Sequence, residues 1–196
     1  MLRECTVRAG TDVARALDVG CNVGGLSYAL SEWVGDQVVG VDISPRAVDV
    51  AKAVARNRGG TFHVAEQGPF TREVRIRLNR AASRADLAYE VRDAERLRGF
   101  AIGFDAVVLS NVLDRVNDPT AYLGQFLDSA DVLRSGGLLM VACPWSWEPR
   151  FSHPDAWLGS AGGQGPQRPR PEGDPQVRLR ARRGGGPAWC APAEPA

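Results

Sequence analysis

Ala16-Leu17-Asp18-Val19-Gly20-Cys21-Asn22-Val23-Gly24-Gly25 is the stretch that decides the fold. Its first four residues are a near-continuous apolar run of the kind that forms a strand buried on both faces. The run breaks at Gly20. From Gly24 to about Val34 apolar residues return at Leu26, Ala29, Leu30 and Trp33, a helical spacing that predicts a core-facing helix. Strand, glycine turn, helix opens a nucleotide-binding β-α-β unit. Gly20 takes backbone angles closed to other residues, and Gly24 permits close approach at the helix start. The free N–H groups there form an electropositive seat.

Outward from this stretch, Gln37-Val38-Val39-Gly40-Val41-Asp42 reads as a second buried strand ending in an acid. Asp42 lies about 20 residues past the glycine turn, the spacing of a ribose-binding carboxylate. A surface Asp preceding a capped helix is the plainer reading. A dinucleotide site shows G-x-G-x-x-G, whereas this chain has D-x-G-x-x-x-G with Asn22 at the middle position. That pattern resembles motif I of class I S-adenosylmethionine (SAM) methyltransferases.

Composition bounds the alternatives. The chain has 196 residues, 44% hydrophobic and 24% charged, with net charge +1. That is ordinary for a soluble domain with a real core and gives no bulk electrostatic case for nucleic acid or a membrane surface. No run approaches the ~20 apolar residues of a membrane span, and Met1 to Asp12 lacks a signal-peptide core. Cys5, Cys21, Cys143 and Cys190 are scattered, and the histidines are His63 and His153. Neither a disulfide framework nor a metal site is expected, and a cytoplasmic location is.

Further along, Ser44 and Pro45 start a second helix that runs to about Asn57 and stops at Gly59-Gly60. Phe62, Val64 and Glu66-Gln67-Gly68 read as a short strand and turn, and Thr71 to Asn79 as either a helix or an extended basic segment. Leu87 to Val91 is strand 3, followed by Asp93-Ala94. Phe104 to Leu109 is strand 4. Pro119 opens a helix to about Leu133, ended by Ser135-Gly136-Gly137, and Leu138 to Ala142 is strand 5. Strands alternating with helices predict an α/β, Rossmann-like doubly wound parallel sheet.

LDVGCNVGG, SNVLDRVNDPTAYL and CPWSWEPRFSHPDAWLG together are similar to the 4-mercaptohistidine N1-methyltransferase family of ovothiol synthesis, also found as the C-terminal domain of ovothiol synthases. The resemblance covers about Ala16 to Gly159. It implies SAM as cofactor, a thiohistidine imidazole nitrogen as methyl acceptor, and functional association with a sulfoxide synthase. It implies Asp18, Gly20, Asn22 and Gly24 around the methionine end, Asp42 and Ile43 at ribose and adenine, and Asp93 and Ala94 at the adenine edge. Asn111 and Leu113 would lie near the reacting centre. Arg115 would pair with the acceptor's carboxylate, and Trp145 and Trp147 would wall its ring. A surface Arg115 paired with an acid, and tryptophans serving core packing, are the plainer readings. A neutral imidazole already carries a lone pair, so orientation about 3–3.5 Å from the methyl carbon matters more than a strong base.

The expected organisation is a methyltransferase domain over 1–160, truncated at both ends relative to the family, and a low-complexity Gly/Pro/Arg/Ala tail over 161–196. Such a tail is expected to be disordered, leaving the sheet without strands 6 and 7. A flexible basic tail and an out-of-frame C-terminus both fit its composition. Another small-molecule methyltransferase, an NAD-binding Rossmann module and an inactive methyltransferase-like remnant are the competing functional readings.

Overall fold

The computed structural model describes residues 12–79, 84–100, 102–127 and 130–158. The chain runs β1 (Arg15–Val19), α1 (Gly25–Ser31), β2 (Gln37–Asp42), α2 (Pro45–Asn57), β3 (Gly59–Gln67), β4 (Phe70–Arg77), β5 (Asp86–Val91), β6 (Phe104–Ser110), α3 (Pro119–Leu127) and β7 (Leu133–Ala142). Five strands form one sheet in the order β5-β2-β1-β6-β7. Every neighbouring pair in it is parallel. This is the expected α/β architecture, with β1 central and its Ala16, Leu17 and Val19 fully buried.

Both faces of the sheet are covered, as a parallel sheet requires. On one face Leu17, Val19, Val107, Leu109 and Leu139 pack with Leu97 and with Tyr122 and Phe126 of α3. On the other, Ala16, Val38, Val108 and Met140 pack against Leu30 and Val34. Each fully buried Leu or Phe contributes roughly 1.5–3 kcal/mol. The helix face differs from the expected one. Ser27, Leu30, Ser31 and Val34 are buried, while Ala29 is exposed and Leu26 and Trp33 are half-buried. Buried serines at helical spacing are possible because their hydroxyls are spent locally: Ser27 donates to Asp18 and Ser31 to the Tyr28 carbonyl.

The second helix begins as the sequence reads, with the Ser44 hydroxyl accepting the Ala47 N–H and Pro45 at the first position. Its left-handed terminal position is Arg58 rather than a glycine, and Gly59 already belongs to β3.

The expectation that the fold lacks strands 6 and 7 is corrected. The described residues hold seven strands, five in the parallel sheet and two in the antiparallel hairpin β3–β4. Thr71 to Asn79 is accordingly not helical. Phe62 pairs with Val74 and Gly60 with Ile76, so alternating apolar residues share one face of the hairpin. Gly68, at φ +54°, turns the chain. The expected helix to Leu133 is also corrected: α3 is Pro119–Leu127, and Leu133 begins β7. Ser135-Gly136-Gly137 lies inside that strand, where the pairing shifts from Phe104–Leu133 to Ala106–Leu138. These glycines accommodate a bulge instead of ending a helix. The expected tail at 161–196 lies outside the described residues.

Candidate functional site

A cleft of about 800 Å³ opens at the carboxyl ends of β1, β2, β5 and β6. This is where the reversal of strand order in an open α/β sheet leaves room for a ligand. Of the residues expected in the site, Asp18, Gly20, Asn22, Asp42, Ile43, Asp93, Ala94, Asn111 and Arg115 line it.

The glycine turn is built by backbone contacts. Gly20 (φ +74°) and Cys21 both donate their N–H to the Val41 carbonyl, at 2.8 and 3.0 Å. Asp42 then ties three elements together. Its Oδ2 accepts the Asn22 N–H and its Oδ1 the Ser44 N–H, both at 2.9 Å. Each carboxylate oxygen keeps a second lone pair for a ligand hydroxyl. Beside it Ile43 stands 69% exposed, an apolar surface next to the cleft.

Asp18 is 1% exposed, and its Oδ2 accepts the Ser27 hydroxyl at 2.6 Å. Burial pushes its pKa up to about 6, while hydrogen bonds from Ser27 oppose the rise. Gly24 does not line the cleft. A Cβ there would sit 2.6 Å from the Tyr89 hydroxyl, which donates to the Gly24 carbonyl at 3.4 Å. Tyr89 therefore packs beneath the turn from β5, and burial keeps its phenol protonated, with a pKa pushed up to about 12.

The Asp18 shift carries a pH prediction. Between pH 3.8 and about 6 the folded chain holds a proton there that the unfolded chain has lost. Stability from this group is therefore fullest below the unfolded value and falls as pH rises through about 6, by roughly 3 kcal/mol. Denaturant unfolding of the ligand-free protein from pH 4 to 7 should show this decline, and Asp18→Asn should flatten it. Equal slopes in both proteins would contradict the assignment.

At the other end of the cleft the expectations change more. Asn111, at φ +57°, is fixed by its N–H bond to the Ala142 carbonyl. Leu113 is buried in the core and does not line the cleft. Trp145 and Trp147 do not line it either: Trp147 stacks on Trp157 with ring centroids 6.3 Å apart. Their segment, 143–158, is a strap after β7. Asp114, 0% exposed, holds it by accepting the N–H and hydroxyl of Ser146 at Oδ2. Arg115 donates to the Ser146 carbonyl and hydroxyl, each at 2.8 Å, and pairs with Glu148 at 3.1 Å. Arg115 is thus committed to the strap.

Arg92, Glu95, Asn117, Arg150 and Phe151 also line the cleft and were not singled out from sequence. Ser27 was missed as the partner of Asp18. Its signal was a polar residue at the buried helical spacing shared with Leu30 and Val34.

The donor set fits SAM. Bound SAM would find carboxylates at Asp18 and Asp42 for its ammonium and hydroxyl groups and, at Ile43, an apolar surface for its base. Among the described residues no group of His, Cys, Asp and Glu is arranged to hold a metal ion.

Residues 5–167 match the family model described as "Methyltransferase domain". The chain is 32% identical over 130 residues to the ubiquinone biosynthesis O-methyltransferase of Xanthomonas axonopodis pv. citri, covering 66% of this chain and 42% of that protein. It is 30% identical over 128 residues to that of Cereibacter sphaeroides, covering 65% and 40%. The chain thus spans about two fifths of the length of these curated relatives. In fold it is similar to an S-adenosylmethionine-dependent methyltransferase from Clostridium acetobutylicum, with TM-score 0.53, 15% identity, and coverage of 72% of this chain and 47% of that one. It is likewise similar to the [4+2]-cyclase SpnF, with TM-score 0.51, 23% identity, and coverage of 72% and 43%. With most of its length matched and its sheet, glycine turn and acid-ended strands in place, the chain belongs to the methyltransferase domain family.

Proposed function

We propose that this chain transfers the methyl group of SAM to an imidazole nitrogen of 4-mercaptohistidine, the acceptor of the family that its motifs resemble. The observation that supports an amino-acid acceptor is the far end of the cleft, where the guanidinium groups of Arg115 and Arg150 both approach the Phe151 ring. A flat ring with an anionic substituent suits such a surface.

SAM, when bound, supplies an electrophilic methyl group on sulfur. The protein's part is binding and orientation. Asp42 and the turn at Gly20 and Asn22 seat the nucleoside, with Asp93 and Ala94 at the base. Asp18 faces the charged methionine end. Asn111 carries a carboxamide that donates and accepts, and so selects the tautomer and angle of an imidazole. In this reading residues 1–160 act as the catalytic domain with 161–196 a separate tail. A sulfoxide synthase would supply the thiohistidine, in the cytoplasm.

A second reading is methylation of a phenolic oxygen, favoured by the relatives named as ubiquinone biosynthesis O-methyltransferases. A phenol with pKa ≈ 10 must lose a proton, and Glu95 is a carboxylate in the cleft. The two separate in one assay. Purified protein is given labelled SAM with 4-mercaptohistidine or with a catechol. Label on the imidazole ring is expected; transfer to the catechol alone would overturn the first reading.

A further inference from the structure

Four side chains at the acceptor end form a closed set. Arg150 grips Glu148 with two donors, Nε to Oε2 at 2.8 Å and Nη2 to Oε1 at 3.2 Å. The same Glu148 pairs with Arg115 at 3.1 Å. Both guanidinium groups lie over the Phe151 ring, at 4.7 Å for Arg150 and 4.9 Å for Arg115. The two arginines differ in how far they are committed. Arg115 is 33% exposed and spends both terminal nitrogens on Ser146 as well as on Glu148. Arg150 is 70% exposed, lines the cleft, and has Glu148 as its one carboxylate partner among the described residues.

Two-pronged guanidinium–carboxylate pairing is geometrically selective. At this exposure the internal pair contributes little to stability, within about 1 kcal/mol. Arg150 is therefore inexpensive to redirect, whereas removing Arg115 would loosen the Asp114–Ser146 anchor. Phe151, half-buried and lining the same cleft, adds an aromatic contact beside the Arg150 fork.

We propose that Arg150 is the receptor for a carboxylate on the methyl acceptor, and that Glu148 holds its fork until the acceptor displaces it. This rests on the amino-acid acceptor reading and reassigns the carboxylate contact expected of Arg115. A free carboxylate entering the cleft exchanges one ion pair for another, so selectivity comes from what else the acceptor presents to Phe151 and Asn111. Glu148 also excludes acceptors that lack a group able to compete for the arginine.

The test uses the full chain saturated with S-adenosylhomocysteine, titrated calorimetrically with L-histidine and with histamine, which lacks the carboxylate. Histidine should bind roughly tenfold tighter than histamine, the scale of one charge-assisted contact. Arg150→Gln should erase that preference. Glu148→Gln should widen it, because the internal competitor is gone. Opposite signs for the two variants set a receptor apart from a strap-stabilising ion pair, since breaking a structural pair from either side acts in one direction. No preference in the unmodified protein, a preference that survives Arg150→Gln, or the same direction of change in both variants would overturn the proposal. Failure of the thiohistidine reading looks different: the carboxylate preference is intact, but 4-mercaptohistidine accepts no methyl group.

Discussion

Gly20→Val is expected to abolish SAM binding and to destabilise the fold. Gly20 sits at φ +74°, a region that costs an L-residue roughly 1–2 kcal/mol and a β-branched one more. A Cβ at this position would also overlap the Val112 Cγ2 methyl. Val112 is itself β-branched and held just before the Leu113–Arg115 turn, so it yields poorly. Overpacking of this kind costs about 1–3 kcal/mol, on top of the backbone strain. Relief by opening the turn would pull Gly20 and Cys21 away from the Val41 carbonyl and displace Asn22 from Asp42. The cofactor seat is lost whichever way the strain resolves. Thermal melts with calorimetric SAM titration test this, and Gly20→Val combined with Val112→Ala should recover part of the stability but not the affinity. A folded Gly20→Val protein with normal SAM affinity would refute this placement of the turn.

Asp42→Ala should lower SAM affinity at least about tenfold while leaving a folded protein. The charged hydrogen bonds offered to a ligand contribute roughly 1.5–3 kcal/mol each. The variant also releases the N–H groups of Asn22 and Ser44, which loosens the turn and the start of α2 together. Asn22 is exposed and Ser44 half-buried, so water replaces most of the lost acceptor and the stability cost stays at ~1 kcal/mol. Affinity and stability should therefore part company, unlike in Gly20→Val, where both fall. Unchanged affinity in the folded variant would remove Asp42 from the site.

The parallel core was legible because its pattern is local. β1, β2 and β6 are mostly apolar runs (Ala16, Leu17 and Val19; Val38 to Val41; Ala106 to Leu109), as strands buried on both faces require. The Asp18–Gly20–Asp42 constellation was legible for the same reason: a tight turn and a strand-end acid are set by residue type and spacing. What misled was punctuation. Gly-Gly after an apolar helix pattern reads as a stop, yet Gly136-Gly137 lies in a bulge of β7, because the register against β6 is a tertiary fact. The hairpin was half visible, since Phe62, Val64, Val74 and Ile76 alternate, but charges between them also permit a helix. Pairing across Gly68 chose the strand.

The acceptor end belongs to tertiary structure almost entirely. The family resemblance pointed to Trp145, Trp147 and Leu113. The fold instead stacks Trp147 on Trp157 and sinks Leu113 into the core, while Phe151 and Arg150 reach the cleft. A strap's path over the sheet is fixed by a few long-range contacts, here Asp114 and Arg115 on Ser146, 32 and 31 residues apart. No local period encodes them. By itself the sequence determined the glycine-turn end of the cleft, where backbone conformation dictates residue type; the tertiary structure alone decided which side chains reach its other end, because contacts between distant segments leave no spacing to read.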